Sequence, residues 1–382
     1  MRKIFAALLC LSLLFGTASC GIGSKDREDG KMTVVMVTDE QGVEDGTLNE
    51  AAFEGLKRAM KNLGIRAEVL ESASPEDYQK NIESAAIGGA AMIISVGCQL
   101  EAAMEETAGR YPGVKFVLID GTSSNGINLL SLSFEDQQSA FLAGVAAGMT
   151  TASDVVGFIG GTKHSSVQRQ EYGFRAGVQA VNPDASIVAE YAGTMNDPEL
   201  GKQLALEQRE QGADVIYQVA GRTGIGVIQA AAEYRESQRV LREEAEALQQ
   251  EGGGPEVVIG FGSQAEVLEG TEHSDSIEGR FWVIGSMEDQ SFLSEDDVLC
   301  STLKRVDHAI YLAIEDLTRG KFESEVRTFG MDLEGVDYSD EAENLPPDIE
   351  QVMRQFREQI ISGDLVVPVD KKNLADFKLP EE

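Results

Sequence analysis

From residue 33 onward, short apolar runs alternate with longer segments in which apolar residues recur at helical spacing. The short runs predict strands over 33–37, 67–70, 92–96, 115–119 and 129–134. The longer segments predict helices over 48–63, 75–87, 100–110 and 137–149. Strand, helix and strand in succession indicate parallel pairing through right-handed crossovers, so this half of the chain predicts a doubly wound α/β domain.

The same alternation restarts near residue 155. Strands are predicted over 155–159, 186–191, 214–219 and 281–284, and helices over 167–181, 198–211 and from about 223. Two successive α/β halves of roughly 100 to 150 residues favour two similar lobes over one large sheet. Because ligands bind beyond the carboxyl ends of the strands in such sheets, two facing lobes would enclose a cleft.

Residues 236–279 interrupt the alternation. A polar helix is predicted to continue to Gln250, where a Gly-Gly-Gly-Pro stretch at 252–255 ends it. Beyond it, 257–259 could form a short strand and 266–278 predicts an acidic loop. We expect an insertion, whose role the sequence leaves open.

The first twenty residues predict a secretory leader. Two basic residues precede an apolar run over 4–15, and small residues then lead to Cys20. The run is too short for a hydrocarbon core that needs about 20 apolar residues. The stretch before Cys20 resembles a bacterial lipobox, although Thr17 departs from the usual aliphatic residue. This resemblance implies cleavage after the leader 1–19 and a lipidated Cys20 at the head of a flexible tether, 20–31; a plain secreted protein is the alternative.

Charge and cysteine content exclude several classes of function. The 382 residues include 65 acidic and 32 basic ones, a net charge of -33 that becomes -35 when the leader removes its two basic residues. Such a surface repels phosphate backbones, so nucleic-acid binding is not expected, and an anionic nucleotide ligand is disfavoured. Outside the leader and Cys20 only Cys98 and Cys300 remain, too few for a disulfide framework. Each is expected to be a buried free thiol, with their pairing left open.

No catalytic motif stands out. The three histidines lack metal-ligand spacing, and neither a G-x-S-x-G elbow nor a phosphate-binding loop is present, so we expect no enzyme, no cofactor and no metal. Glycine clusters at 157–161 and 221–226 follow predicted strands. They could let the backbone approach a ligand, or they could simply form tight turns.

Polar residues follow the first predicted strand. Asp39, Asp45 and Asn49 lie between the strand end and the start of the next helix, where carboxylate and amide groups can read the donors and acceptors of a small polar molecule. Part of the polarity has a structural explanation, because Thr47 and Glu50 have capping-box spacing.

At these residues the chain resembles the basic membrane protein family, whose best-understood members are PnrA-type purine nucleoside receptor lipoproteins, the substrate-binding components of ABC importers. The similarity runs from about Thr33 to Phe322 and includes the end of the chain, whereas 236–279 is foreign to it. The matching stretches are Val37-Thr38-Asp39 with Asp45, Asn49 and Phe53-Glu54-Gly55; 115–120; Phe141-Leu142-Ala143-Gly144; 173–177; 212–216; and Lys304-Arg305-Val306-Asp307.

The resemblance implies a type I periplasmic-binding-protein fold, with two doubly wound α/β lobes joined by a hinge and a ligand cleft between them. It assigns 32–133 and about 297–330 to the N-terminal lobe. It assigns 134–296 and about 340–382 to the C-terminal lobe.

The resemblance also implies ligand-binding roles. Asp45 and Asn49 match base-reading positions, and Phe53 matches an aromatic wall position. Asp120 matches a polar residue of the cleft. Lys304 matches a lysine that donates to ribose hydroxyls.

Three positions depart from the family pattern. Met195 stands where the family usually has an aromatic ring, and Arg222, beside Gly221, replaces a glycine. Met287 stands where the family has an aspartate that grips ribose. Losing one charge-assisted hydrogen bond costs about 1.5 to 3 kcal/mol, roughly tenfold to a hundredfold in affinity. The exact ligand and the need for ribose therefore stay open.

Together these features predict an extracytoplasmic solute-binding lipoprotein of an ABC importer. We expect it to bind a nucleoside or similar polar heterocycle, to deliver it to a permease, and to be held on the cell membrane by its lipid. The alternatives are a ligand-sensing or surface-interaction lipoprotein, or an ABC receptor for a different ligand.

Overall fold

The computed structural model describes residues 30–44, 48–250 and 280–380. Cys20 and Asp45, which carry predicted roles, lie outside these residues, as does the possible strand at 257–259. No helix in the described ranges combines the length and the apolar character that crossing a bilayer requires.

Twelve strands are formed by the described residues, and their positions follow the predicted apolar runs closely where a run was predicted. They are β1 Thr33–Val37, β2 Arg66–Leu70, β3 Met92–Val96, β4 Lys115–Ile119, β5 Leu129–Phe134, β6 Val155–Gly160, β7 Ser186–Tyr191, β8 Val215–Val219, β9 Trp282–Gly285, β10 Val298–Lys304, β11 Val326–Phe329 and β12 Val336–Ser339. The helices are α1 Leu48–Leu63, α2 Glu76–Ile87, α3 Glu101–Arg110, α4 Asp136–Thr150, α5 Ser165–Val181, α6 Pro198–Glu210, α7 Arg222–Gln250, α8 Val306–Thr318, α9 Pro347–Ser362 and α10 Lys371–Ala375.

The strands form two six-stranded sheets, one in each lobe. The first has the order β11-β5-β4-β3-β1-β2 and the second the order β12-β10-β9-β8-β6-β7. The first sheet is parallel throughout, and in the second only β12 runs antiparallel to its neighbour. The predicted architecture of two doubly wound α/β lobes is confirmed.

The chain crosses between the sheets three times: from β5 into α4, from β10 into α8, and from β11 to β12. Strand β10 pairs with β9 and β12 in the second sheet, whereas the boundary drawn from the sequence placed residues from about 297 in the first lobe. The apolar run of β10 records that it is buried but not which sheet buries it. The return to the first lobe begins with α8, which packs on α1.

Helices α4 and α5 lie unusually close together. A Cβ atom on Gly177 would overlap the carbonyl oxygen of Phe141, and one on Gly144 would overlap that of Phe174. The two glycines thus let the backbones touch. This contact fixes the position of α4, whose first residue, Asp136, lies beside Lys304.

Candidate functional site

Polar side chains collect at the carboxyl ends of β1, β3 and β4, where the first lobe faces the second. β1 is followed by Asp39, β3 by Cys98 and Gln99, and β4 by Asp120. The turn after β3 depends on Gly97, whose φ of 98° is unfavourable for residues with a side chain. The strand ends thus gather side chains far apart in sequence.

Asp39 is buried and accepts four hydrogen bonds from amide groups. Oδ1 accepts from the backbone N–H of Gln41 at 3.1 Å and from Asn49 Nδ2 at 2.7 Å. Oδ2 accepts from Gln41 Nε2 at 3.2 Å and from Gln99 Nε2 at 2.8 Å. Both carboxylate oxygens are therefore engaged within the protein, so the main effect of Asp39 is to orient its neighbours.

Asn49 lies in the first turn of α1 and is buried against Asp39. Two predicted site residues are thus brought together. Gln41 and Gln99, which complete the group, were missed by the sequence analysis. Their only sequence signal is that each closely follows the end of a strand.

A second polar group centres on Lys304, the last residue of β10. Its ammonium donates to Asp120 Oδ1 at 2.7 Å and Oδ2 at 2.8 Å, and it lies 3.3 Å from Asp136 Oδ1. The ammonium also sits 4.9 Å from the centre of the Phe134 ring. The predicted pair Asp120 and Lys304 is brought together, 184 residues apart in sequence.

The opposite charges of Lys304 and its two carboxylates each favour the ionised form of the other. Burial alone would lower the pKa of Lys304, but Asp120 and Asp136 raise it above the ordinary lysine value. Burial raises the pKa of Asp136, and Lys304 and Arg169 oppose that effect. Arg169 on α5 approaches Asp136 Oδ2 at 3.5 Å. A charged ammonium is thus held in place by carboxylates at the point where the lobes join.

The sequence analysis also missed Asp136 and Arg169. Asp136 begins α4 just after β5, on the first crossover between the lobes. Its position beyond a strand end was the available signal. Nothing in the sequence indicated that Arg169, on another helix, would reach it.

A contact between Cys98 and His164 also joins the two lobes. Cys98 Sγ lies 3.1 Å from His164 Nε2, and His164 caps the amino end of α5 in the second lobe. His164 Nδ1 lies 3.0 Å from Ser166 Oγ and accepts from the Ser166 backbone N–H, so both ring nitrogens of His164 are in contact with neighbours. Burial and Asp120 raise the pKa of the Cys98 thiol. Cys98 is free and half-buried rather than buried as expected, whereas Cys300 is free and buried.

Met195 and Gly221 meet on the second lobe. A Cβ on Gly221, whose φ is 55°, would lie 3.1 Å from the Met195 carbonyl oxygen. A Cβ on Gly161 would overlap the Met195 sulfur. The two glycine clusters therefore make room for one methionine. Arg222 is exposed at the start of α7.

Met287 has a positive φ of 76°, and its carbonyl oxygen accepts the Lys304 backbone N–H at 2.9 Å. It therefore lies beside the Lys304 group. Phe53, half-buried on α1, packs against the main core with the Lys57 ammonium 4.8 Å from its ring centre. The described contacts of Phe53 are with the core and Lys57.

The described residues contain no group of three or more histidine, cysteine or acidic side chains arranged to hold a metal ion. The polar groups of the site make hydrogen bonds and ion pairs, and Lys304 also contacts the Phe134 ring. The arrangement can grip hydroxyl and amino groups of a small molecule.

Comparison with known proteins identifies a matching family and several relatives. Residues 32–371 match the family described as ABC transporter substrate-binding protein PnrA-like. The chain is 30% identical, over 95% of its length and 96% of the relative's, to the ABC transporter nucleoside-binding protein BmpA of Lactococcus lactis subsp. cremoris. It is 31% identical, over 96% and 99% of the two lengths, to a CD4+ T-cell-stimulating antigen of Listeria innocua.

Solved structures show the same fold. A solute-binding protein of an ABC transporter system from Aeropyrum pernix K1 superposes with a TM-score of 0.70. The alignment covers 90% of this chain and 96% of that one, at 24% identity.

Proposed function

Because the chain belongs to the PnrA-like family of ABC transporter substrate-binding proteins, we propose that it binds a neutral nucleoside between its lobes and delivers it to the permease. The observation that carries this proposal is the ion pair between buried Lys304 and partly buried Asp120 at the carboxyl ends of the strands. An ammonium donates to a hydroxyl oxygen, and a carboxylate accepts from a hydroxyl hydrogen. Side by side, they suit the adjacent hydroxyls of a ribose.

The remaining polar groups suit a nucleobase. Amide side chains collect around Asp39 on the first lobe, and Met195 offers soft apolar surface on the second. The relative from Lactococcus is named for nucleoside binding, which supports the same ligand class. A net charge of -33 disfavours a phosphorylated ligand.

The proposal extends to the location of the protein. We propose that the leader is cleaved before Cys20 and that the lipidated cysteine holds the lobes on the extracytoplasmic face of the membrane. Metabolic labelling of expressing cells with a radioactive fatty acid tests this. Label is expected on the natural chain and not on Cys20→Ser, and label retained by that variant would contradict the anchor.

Ligand class is tested first by a thermal-shift screen of nucleosides, free bases, sugars and amino acids. We expect nucleosides to raise the melting temperature, because a ligand that binds only the folded state stabilises it. Stabilisation by another class and by no nucleoside would refute the ligand and leave the receptor role intact.

The role of Lys304 is then tested by calorimetric titration of Lys304→Met with the best nucleoside. Loss of a charge-assisted hydrogen bond should weaken binding by about tenfold to a hundredfold. Arg357→Met is the matched control, because it removes another cation that grips an aspartate, Asp337, but belongs to α9. If Lys304→Met and Arg357→Met bind the nucleoside with equal affinity, Lys304 does not contact the ligand.

A further inference from the structure

The Lys304 ammonium is held by carboxylates from both lobes. Lys304 ends β10 in the second sheet, and Asp120 follows β4 of the first sheet, so their ion pair joins the two lobes. Asp136 begins α4, which packs against α5 and β12 of the second lobe. One carboxylate therefore reaches the lysine from the opposite lobe, and the other belongs to the lysine's own lobe.

The two carboxylates contact the ammonium differently. Both oxygens of Asp120 accept from it, at 2.7 and 2.8 Å, which is the range of a charge-assisted hydrogen bond. The oxygens of Asp136 lie 3.3 and 3.5 Å from the nitrogen, so this carboxylate acts mainly through its charge. The side chain of Asp120 is 11% exposed and that of Asp136 only 3%, so Asp120 is the carboxylate that a ligand can reach.

A hydroxyl group that binds between Lys304 and Asp120 takes over hydrogen bonds that these two residues now make with each other. Asp120 turns at least one oxygen from the ammonium to the hydroxyl hydrogen, and the ammonium turns one of its three N–H donors to the hydroxyl oxygen. A buried ammonium that loses its counter-charge is strongly disfavoured. Among the described contacts of Lys304 the other carboxylate is Asp136, which supplies the counter-charge during this exchange.

Several neighbours favour the charged form of Asp136. Burial raises the pKa of this carboxyl group, whereas Lys304 and Arg169 lower it. Arg169 Nη2 lies 3.5 Å from Asp136 Oδ2, and the first turn of α4 places the carboxylate at the positive end of the helix dipole. The two cations balance the charges of Asp120 and Asp136, so the group as a whole is neutral.

We propose that Asp136 is a positioning residue for ligand binding, which keeps Lys304 paired and in place while Asp120 exchanges between the lysine and a sugar hydroxyl. Asp136 itself does not contact the ligand in this arrangement. Without it, Asp120 stays on the lysine as its remaining carboxylate partner, and the hydroxyls lose both contacts. The inference rests on the proposed function, because it assumes that the adjacent hydroxyls of a ribose bind at Lys304 and Asp120.

The test compares adenosine with 2′,3′-dideoxyadenosine, which lacks the two adjacent ribose hydroxyls, by calorimetric titration of the full chain. The natural protein should prefer adenosine by about tenfold to a hundredfold, the value of a charge-assisted hydrogen bond. In Asp136→Asn this preference should fall by about fivefold or more, while the affinity for 2′,3′-dideoxyadenosine changes by less than about twofold. The second value separates a loss of hydroxyl binding from general damage to the cleft.

Asp297→Asn is the matched control. Asp297 is also a buried aspartate beside an arginine, since it accepts from Arg235 Nε at 2.9 Å. It directly precedes the first residue of β10, whereas Lys304 is the last residue of that strand. Asp297→Asn should therefore keep the preference for adenosine.

A double variant guards against misfolding of Asp136→Asn, in which Arg169 loses this carboxylate. Combining Asp136→Asn with Arg169→Gln removes both charges of that pair and keeps the net charge, yet it still deprives Lys304 of Asp136. The double variant should show the same loss of preference.

Three results would overturn the inference and leave nucleoside binding standing. They are an undiminished preference in either folded variant, an equal loss of preference in Asp297→Asn, and equal affinities of the natural protein for the two ligands. An uncharged Asp136 would give the first result, because asparagine has nearly the same shape. If neither ligand binds the natural protein, the proposed function fails, and this inference fails with it.

Discussion

Replacing Met287 by aspartate should both relieve the backbone and strengthen ribose binding. The φ of 76° places Met287 in the left-handed region, which costs an ordinary side chain about 1 to 2 kcal/mol. Aspartate and asparagine tolerate this region better, because their short polar side chains can bond locally. Part of that cost, up to about 1 kcal/mol, should return as stability.

The effect on affinity follows from the neighbours of this residue. The carbonyl oxygen of Met287 is tied to the Lys304 backbone at 2.9 Å, so the new carboxylate would extend from a backbone fixed next to the lysine group. One additional charge-assisted hydrogen bond to a sugar hydroxyl is worth about 1.5 to 3 kcal/mol. Affinity for a ribonucleoside should therefore rise about tenfold to a hundredfold.

The assay is calorimetric titration with adenosine and 2′,3′-dideoxyadenosine, accompanied by urea unfolding. Met287→Asn is the matched control, since it shares the backbone preference of aspartate but carries no charge. Met287→Asp should gain affinity for adenosine alone, whereas Met287→Asn should gain only stability. The reasoning fails if Met287→Asp is folded and binds both ligands with unchanged or equally improved affinity.

Two further predictions concern stability. Gly177→Ala should destabilise the fold by about 1 to 3 kcal/mol or more, because the new methyl group meets the Phe141 carbonyl oxygen. The control Gly109→Ala lies in open space on α3 and should stabilise the fold by about 0.5 to 1 kcal/mol. Urea unfolding of both variants measures the two changes, and equal effects would contradict the close packing of α4 and α5. Burial would raise the pKa of Asp307, but its hydrogen bond and charge interaction with Arg305 lower it below the ordinary value. The resulting stability is present above the unfolded pKa of about 3.9 and disappears as pH falls through the lower folded value. The stability difference between the natural chain and Asp307→Asn should therefore shrink between pH 5 and about pH 2, and a difference that stays constant would refute this assignment.

The sequence by itself determined the elements and the fold class. Apolar periodicity reports which side of a local segment is buried, and this is why β1 and α1 were predicted at their observed bounds. Alternation of strands and helices then restricted the topology to parallel, doubly wound sheets. The family resemblance added Asp120 and Lys304, which the structure brings within 2.7 Å.

Only the tertiary structure decided what each polar side chain contacts. Asp39 was predicted to bind the ligand, and the structure adds that its carboxylate accepts four hydrogen bonds from three residues. His164 showed no useful spacing, yet it meets Cys98 from the opposite lobe. Likewise the apolar run of β10 did not reveal which sheet it joins. Gln99 lies 60 residues from Asp39 and His164 lies 66 residues from Cys98. Periodicity indicates that a residue is buried, but it does not identify the neighbour that buries it.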